Sequence, residues 1–219
     1  GWGAGGGGAL GAGVAGGGVS GRGVQCREPV ADGPVVQRAS ERARRHGTSL
    51  PQVLELARQI RKKSQAGLII FTYLNPILRM GIKNFAAAAQ DVCVDGALVT
   101  DLPVEESRDY LAEMQKRNLA TVFLAAPTST DARLKQIAGA SSGFVYAVSR
   151  TGVTGARQQM PADARKLVGR LRRYTHLPVA VGFGRHPPAT FRAGGEFADA
   201  AGGGSASRRQ VARNPRQAR

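Results

Sequence analysis

Residues 143–157, GFVYAVSRTGVTGAR, join a short apolar strand to a glycine-rich loop. The run from Phe144 to Val148 has the length and the content of β-branched and aromatic residues that are typical of a buried strand. Gly152 and Gly155 in the loop allow backbone N–H groups to approach an anion. Because α/β enzymes place functional groups where a strand runs into such a loop, this stretch predicts an α/β fold with an anion site.

The middle of the chain repeats this alternation of strand and helix. Strand patterns occur at 68–73, 96–100, 121–125, 144–148 and 179–183. Helical patterns lie between them, at 51–63, 82–90, 104–117, 131–138 and 162–174. A first helix is expected to follow Gly33-Pro34. Such repeated units predict a parallel sheet covered by helices, which fits either an open doubly wound sheet or a closed (β/α)₈ barrel.

Two observations favour the barrel. No Gly-x-Gly-x-x-Gly motif follows a strand, which argues against a dinucleotide-binding sheet. Polar residues such as Asn75, Asp101 and Ser149 follow several different strands, as the C-terminal edge of a barrel requires. A barrel typically needs about 250 residues, so a chain of 219 residues is expected to form one that is incomplete at its first and last strands.

Composition limits the partners and the sites that we expect. The formal net charge is +16, but the basic residues fall late in predicted helices and aromatic residues do not alternate with them, so no nucleic-acid partner is expected. Cys26 and Cys93 offer neither a disulfide framework nor a metal-binding spacing. No apolar run is long enough to cross a membrane. These features predict a reduced cytoplasmic protein without a metal site.

Several motifs occur together in a specific order, and they carry a resemblance to one family. They are PVADGP (29–34), TYLNPIL (72–78), DGALVTDLPVEES (95–107), APTS (126–129), GFVYAVSRTGVTGAR (143–157) and LPVAVGFG (177–184). In this order and spacing the chain closely resembles the α subunit of tryptophan synthase. The resemblance covers roughly residues 16–206 and is strongest over 29–184.

The resemblance implies a fold and a reaction. The family forms a single-domain (β/α)₈ barrel, here expected over residues 1–219. It is a lyase of tryptophan biosynthesis that cleaves indole-3-glycerol phosphate to indole and glyceraldehyde 3-phosphate by a retro-aldol reaction. It works with the β subunit in an α2β2 tetramer, and the pyridoxal phosphate belongs to the β subunit, so no cofactor is expected in this chain.

The resemblance also assigns site residues, which the chemistry explains. The reaction protonates C3 of the indole and removes a proton from the glycerol hydroxyl, so it calls for general acid–base carboxylates. Asp32 matches the catalytic aspartate that faces the indole nitrogen, and Thr154 matches the residue of the loop that closes over the site. The apolar walls of the indole pocket match Tyr73, Leu98, Leu124 and Tyr146. Backbone N–H groups that hold the phosphate match Gly155, Gly184, Gly204 and Ser205.

The chain departs from the family at both ends. The position of the proton-shuttling glutamate falls on Gly21, and the valines of the eighth strand are replaced by Ala201, Gly202 and Gly203. Since glycine cannot transfer a proton, the alternative function is a non-catalytic α-like subunit that only docks on the β subunit and activates it. The low-complexity ends, residues 1–20 and 185–219, are expected to be disordered.

Overall fold

The structure is a computed structural model that describes residues 10–15, 20–23, 49–148, 160–182 and 194–202. The predicted helix after Gly33-Pro34 lies outside these residues. Within the described ranges no helix is long and apolar enough to cross a membrane.

The strands form one mixed sheet. They are β1 (Leu10–Ala15), β2 (Ser20–Gly23), β3 (Leu68–Thr72), β4 (Gly96–Val99), β5 (Ala120–Val122), β6 (Leu124–Ala125), β7 (Val145–Val148), β8 (Val179–Gly182) and β9 (Ala200–Gly202). Their order across the sheet is β5-β4-β3-β2-β1-β9-β8-β7-β6. The strands from β2 to β5 pair in parallel, and so do those from β6 to β9. The prediction of a parallel α/β sheet is therefore confirmed.

The sheet departs from eight regular parallel strands at β1. This strand runs antiparallel to both of its neighbours, with Gly11 opposite Arg22 of β2 and Ala15 opposite Ala201 of β9. Both β1 and β9 fall within the low-complexity ends of the sequence. The sequence of β1, LGAGVA, includes two glycines, which weaken a strand because they offer no side chain to pack.

The two end strands of the sheet are consecutive in the chain, because only Phe123 separates β5 from β6. The first half of this stretch pairs with β4 and the second half with β7. Serine hydroxyls accept hydrogen bonds from backbone N–H groups around the break between β5 and β6. The backbone N–H of Thr121 donates to Oγ of Ser142 at 3.0 Å, and that of Phe123 donates to Oγ of Ser141 at 3.4 Å. Within the described residues no backbone ladder joins β5 directly to β6.

Helices cover the outer face of the sheet. They are α1 (Leu50–Arg61), α2 (Leu74–Met80), α3 (Ile82–Asp91), α4 (Arg108–Gln115), α5 (Asp131–Ala140) and α6 (Met160–Leu171). Helix α1 begins after Ser49, whose backbone N–H donates to Oε1 of Gln52 at 2.8 Å. The pattern at 104–117 predicted one helix, but the structure divides it into a 3₁₀ turn (Val104–Glu106) and α4. The division falls at buried Ser107, whose hydroxyl donates to the carbonyl of Val104 at 2.7 Å.

Side chains of the strands alternate between two apolar cores. The larger core lies between the sheet and the helices and includes Leu68, Ile70, Val145 and Val181. We call the smaller one the inner cluster. It consists of buried Ile69, Leu98 and Val122 together with the partly buried Phe71, Leu124, Phe144 and Tyr146. Because register partners in a parallel pair share a face, β3, β4 and β5 contribute Ile69, Leu98 and Val122 to the same side.

Glycines in helices and strands provide a test of this packing. An added Cβ at Gly139 in α5 meets nothing within 4 Å, whereas one at Gly96 in β4 collides with the carbonyl of Ala120 and lies 2.8 Å from its carbonyl carbon. We expect Gly139→Ala to raise the free energy of unfolding by about 0.5–1 kcal/mol. Gly96→Ala should lower it by about 1–3 kcal/mol. Urea unfolding measures both, and equal effects at the two positions would contradict this packing.

Candidate active site

The inner cluster contains three of the four residues that the sequence predicted as walls of an aromatic pocket. Leu98 on β4 is 1% exposed. Leu124 on β6 and Tyr146 on β7 are register partners and therefore lie side by side on the inner face. The structure brings these three residues together, and their contact with a substrate remains a prediction.

Tyr146 spans the inner cluster and reaches a neighbouring strand. Its ring meets that of Phe71 edge to face, with centroids 6.4 Å apart and an interplanar angle of 77°. The register partner of Tyr146 on β8 is Ala180, but the phenol lies against Gly182, where an added Cβ would collide with it. The ring therefore leans toward the carboxyl ends of the strands. Burial raises the pKa of the Tyr146 hydroxyl, so it stays neutral at physiological pH.

Phe71 and Phe144 also belong to the inner cluster, but the sequence analysis does not include them among the predicted pocket walls. The signal was the two-residue period of the strands, since Phe71 follows Ile69 by two positions and Phe144 precedes Tyr146 by two. The strands were recognised from apolar runs, and the choice between their two faces needed the register with neighbouring strands.

Tyr73, the fourth predicted wall, lies at the end of β3 rather than among the residues of the inner cluster. It is partly buried and is the N-cap residue of α2. Oδ1 of Asp101, which follows β4, accepts a hydrogen bond from the backbone N–H of Leu74 at 2.7 Å. The turn that carries Tyr73 is thus tied to the loop of the next strand.

Gly21, at the predicted position of the proton-shuttling glutamate, is a residue of β2. It pairs with Ile69 of β3, a member of the inner cluster, so position 21 falls on the inner face of the sheet. The register thus places this position on the face that carries the predicted pocket walls, although the chain has a glycine there.

The remaining predicted site residues lie outside the described residues. They are Asp32, Thr154, Gly155, Gly184, Gly204 and Ser205. The strands that precede the predicted phosphate-binding segments are nevertheless described, and Val148, Gly182 and Gly202 are aligned in register at the ends of β7, β8 and β9. Three segments with glycines in their sequences therefore follow strands whose carboxyl ends lie side by side.

Arg170 of helix α6 forms hydrogen bonds with the turn after β6. Arg170 donates to the carbonyls of Pro127 and Ser129, at 3.3 and 2.6 Å, and to Oδ1 of Asp131. Its hydrogen bond to the carboxylate, with the nearby charge of Arg173, holds the pKa of Asp131 below its usual value. Helix α6 begins directly after residues 149–159, which include Thr154, so this contact anchors the helix that follows that segment.

Two further features lie apart from this site. A cleft of about 470 Å³ opens at the start of β5, at the opposite ends of the strands, and is lined in part by Gln115, Asn118, Thr121 and Ser142. Its lining also includes Leu111 and Leu119 but no residue of the inner cluster. Among the described residues there is no group of three or more histidine, cysteine, aspartate or glutamate residues that could hold a metal ion.

The contact between Tyr146 and Gly182 can be tested by a double-mutant cycle. Gly182→Ala should displace the ring and lower the free energy of unfolding by about 1–3 kcal/mol. Tyr146→Leu should relieve the collision, so the double variant should lose less than the sum of the single losses. Gly195→Ala is the control, since an added Cβ there meets nothing within 4 Å. Strict additivity in chemical denaturation would show that the ring does not occupy this space.

Buried tyrosines should make stability fall in alkaline solution. Burial raises the pKa of both Tyr110 and Tyr146 in the folded chain. Above about pH 10 the unfolded chain loses phenol protons that the folded chain retains, so the free energy of unfolding decreases as the pH rises. Tyr146→Phe and Tyr110→Phe should each make this decrease shallower. Denaturation curves at about pH 8 and about pH 11 measure it, and an unchanged slope would contradict the burial.

Known proteins resemble this chain in sequence. The sequence profile of the family described as Tryptophan synthase alpha chain matches residues 14–219. A tryptophan synthase alpha chain of Solibacter usitatus is 49% identical over 191 residues, which are 87% of this chain and 72% of the relative. One of Laribacter hongkongensis is 48% identical over 174 residues, and the match covers 79% of this chain and 66% of that protein.

Solved structures resemble it in fold. The tryptophan synthase α2β2 complex of Pyrococcus furiosus contains a chain that matches with a TM-score of 0.79 at 37% identity, covering 90% of this chain and 79% of the other. An aminoacrylate-bound tryptophan synthase of M. tuberculosis gives 0.81 at 32% identity, with coverage of 90% and 75%. The irregular β1 is thus a local departure within a (β/α)₈ barrel fold. The chain belongs to the tryptophan synthase alpha chain family.

Proposed function

We propose that this chain is the α subunit of a tryptophan synthase and cleaves indole-3-glycerol phosphate to indole and glyceraldehyde 3-phosphate. The observation that carries the proposal is the inner cluster, together with the aligned ends of β7, β8 and β9, which the glycine-containing segments of the sequence follow. The substrate has a flat apolar ring at one end and a phosphate at the other. The cluster would bind the ring, and the glycine-containing segments after β7, β8 and β9 would bind the phosphate.

The apolar half of the site consists of the walls around Tyr146. Leu98 and Leu124 offer aliphatic surface, and the edge-to-face pair of Phe71 and Tyr146 shows that aromatic rings pack in this space. The neutral hydroxyl of Tyr146 adds a polar group without a charge. Such walls bind an indole ring by burial and by ring contacts.

The phosphate half consists of the proposed segments after β7, β8 and β9. Gly155, Gly184, Gly204 and Ser205 would supply backbone N–H groups, which bind phosphate without a basic side chain. The alignment of Val148, Gly182 and Gly202 supports this, because three segments that start side by side can converge on one anion.

The chemical step needs groups that move protons and stabilise charge. Asp32 would face the indole nitrogen and stabilise the cation that develops when C3 is protonated, and Thr154 would close over the site. A carboxylate that shuttles protons is not available at Gly21. Loss of a general acid–base group typically slows a reaction by about 10²–10⁴-fold, so slow cleavage is expected from this chain.

The partner in this proposal is a tryptophan synthase β subunit, in an α2β2 tetramer of the kind named for Pyrococcus furiosus. The β subunit would carry the pyridoxal phosphate and consume the indole. The retro-aldol step requires proton transfers only, so this chain would work without a cofactor, and it would do so in the cytoplasm.

A gain-of-function experiment tests the proposal. Gly21→Glu should raise the rate of indole release by about 10²–10⁴-fold, because it restores an acid–base group on the inner face. Gly21→Gln is the matched control, since it adds the same bulk but cannot shuttle a proton. Indole release from indole-3-glycerol phosphate is measured with and without the β subunit, and circular dichroism checks that all three proteins fold.

The outcomes separate the two functions. Equal rates for Gly21→Glu and Gly21→Gln would contradict the assignment of position 21. If the native chain and both variants fold and activate the β subunit but none of them releases indole, the proposed cleavage is wrong. The chain would then be a non-catalytic subunit that only docks on the β subunit and activates it.

A further inference from the structure

A carboxylate from the loop after β4 caps the helix that follows Tyr73. Tyr73 has an extended backbone, with φ −101° and ψ 164°, as N-cap residues do. N-cap side chains usually accept a hydrogen bond from the first turn, but Tyr73 makes no such bond. Asp101, in the loop after β4, supplies the acceptor instead, since its Oδ1 accepts a hydrogen bond from the backbone N–H of Leu74 at 2.7 Å. A charged acceptor at a helix N-terminus is also favoured by the helix dipole.

The backbone on both sides of this contact is held in place. Before Asp101 in the chain, the N–H and the hydroxyl of Thr100 both donate to the carbonyl of Thr72, at 3.0 and 3.4 Å. Beyond it, Leu102 is 7% exposed and anchors the loop after Asp101 in the larger core. The backbone on either side of Asp101 is therefore held in place. The hydrogen bond from the Leu74 N–H to Asp101 then fixes the position of the turn between β3 and α2.

We propose that Asp101 is a positioning residue for substrate binding. It fixes the turn between β3 and α2 so that Tyr73 forms one wall of the pocket for the aromatic ring. The inference rests on the proposed function and deepens it, because Asp101 acts through the backbone of Leu74 and Tyr73 and does not touch the substrate. A pocket wall binds the ground state and the transition state alike, so its displacement raises KM and leaves kcat nearly unchanged.

Three variants test this inference. Asp101→Ala removes the acceptor, Asp101→Asn retains an oxygen that can accept from Leu74, and Glu106→Ala removes an exposed carboxylate of the same loop. For each we would measure KM and kcat for indole-3-glycerol phosphate, its Kd by calorimetry, and hydrogen exchange of the Leu74 amide. Gly21→Glu serves as the parent background if the native chain cleaves too slowly to measure.

We expect Asp101→Ala to raise KM and Kd by about tenfold, because substrate binding must then order the released turn and the Tyr73 side chain. The Leu74 amide should exchange faster in this variant, while kcat changes by less than about twofold. Asp101→Asn should restore both affinity and protection, and Glu106→Ala should match the parent.

Three results would overturn the inference. Unchanged KM and Kd in Asp101→Ala despite faster exchange at Leu74 would show that the turn does not position the pocket. An equal defect in Asp101→Asn would assign the effect to charge rather than to the cap, and a fall in kcat without a rise in KM would assign Asp101 to the chemical step. If the parent neither binds nor cleaves the substrate, the proposed function fails, whereas a parent that binds normally isolates the failure to Asp101.

Discussion

Side chains alternate between the two faces of each strand, so the register between neighbouring strands decides which residues line the inside of this sheet. A shift of one residue would exchange the inner cluster with the core that packs on the helices. The observed register places Ile69, Leu98 and Val122 inside and Ile70, Ala97 and Thr121 outside. The larger core specifies this register strongly, because α1, α3 and α5 can bury their apolar faces only against the outward side chains.

The inner face is unequal around the sheet. Among the residues whose side chains the structure describes, the large side chains of the inner face come from β3 to β7, whereas the inner positions of β8 and β9 are Ala180, Gly182, Ala200 and Gly202. Tyr146 leans toward the side with small residues and occupies the space that a side chain at position 182 would need. The small residues thus let one aromatic ring lie across two strands, and this ring sets the shape of the proposed pocket.

Contacts between neighbouring turns hold the carboxyl-terminal ends of the strands in place. Asp101 joins the loop after β4 to the turn after β3, and Glu105 of the 3₁₀ turn pairs with Arg133 of α5 at 2.7 Å. Arg170 then joins the turn after β6 to α6. The ion pairs Glu105–Arg133 and Asp131–Arg170 are both partly exposed, so each contributes little free energy. The hydrogen bonds to backbone groups instead fix the positions of the turns.

The motifs alone identify the family, and local patterns predict the strands and, apart from α2, the helices between residues 68 and 182. Apolar runs and helical periods are local, and the motifs keep their spacing, so these could be read without coordinates. The helix α2 was missed because it follows β3 immediately and contains Pro76, which is tolerated only within the first turn.

The other features depend on contacts between distant parts of the chain. In the sheet, residues 120–125 divide at Phe123 between two neighbouring strands, β1 runs antiparallel, and position 21 falls on the inner face. Asp101 meets Leu74 and Tyr146 meets Gly182 only in the folded chain. Each of these depends on which residues of distant strands stand opposite one another. That register is fixed by the packing of the whole sheet against its helices, and no local stretch of sequence contains it.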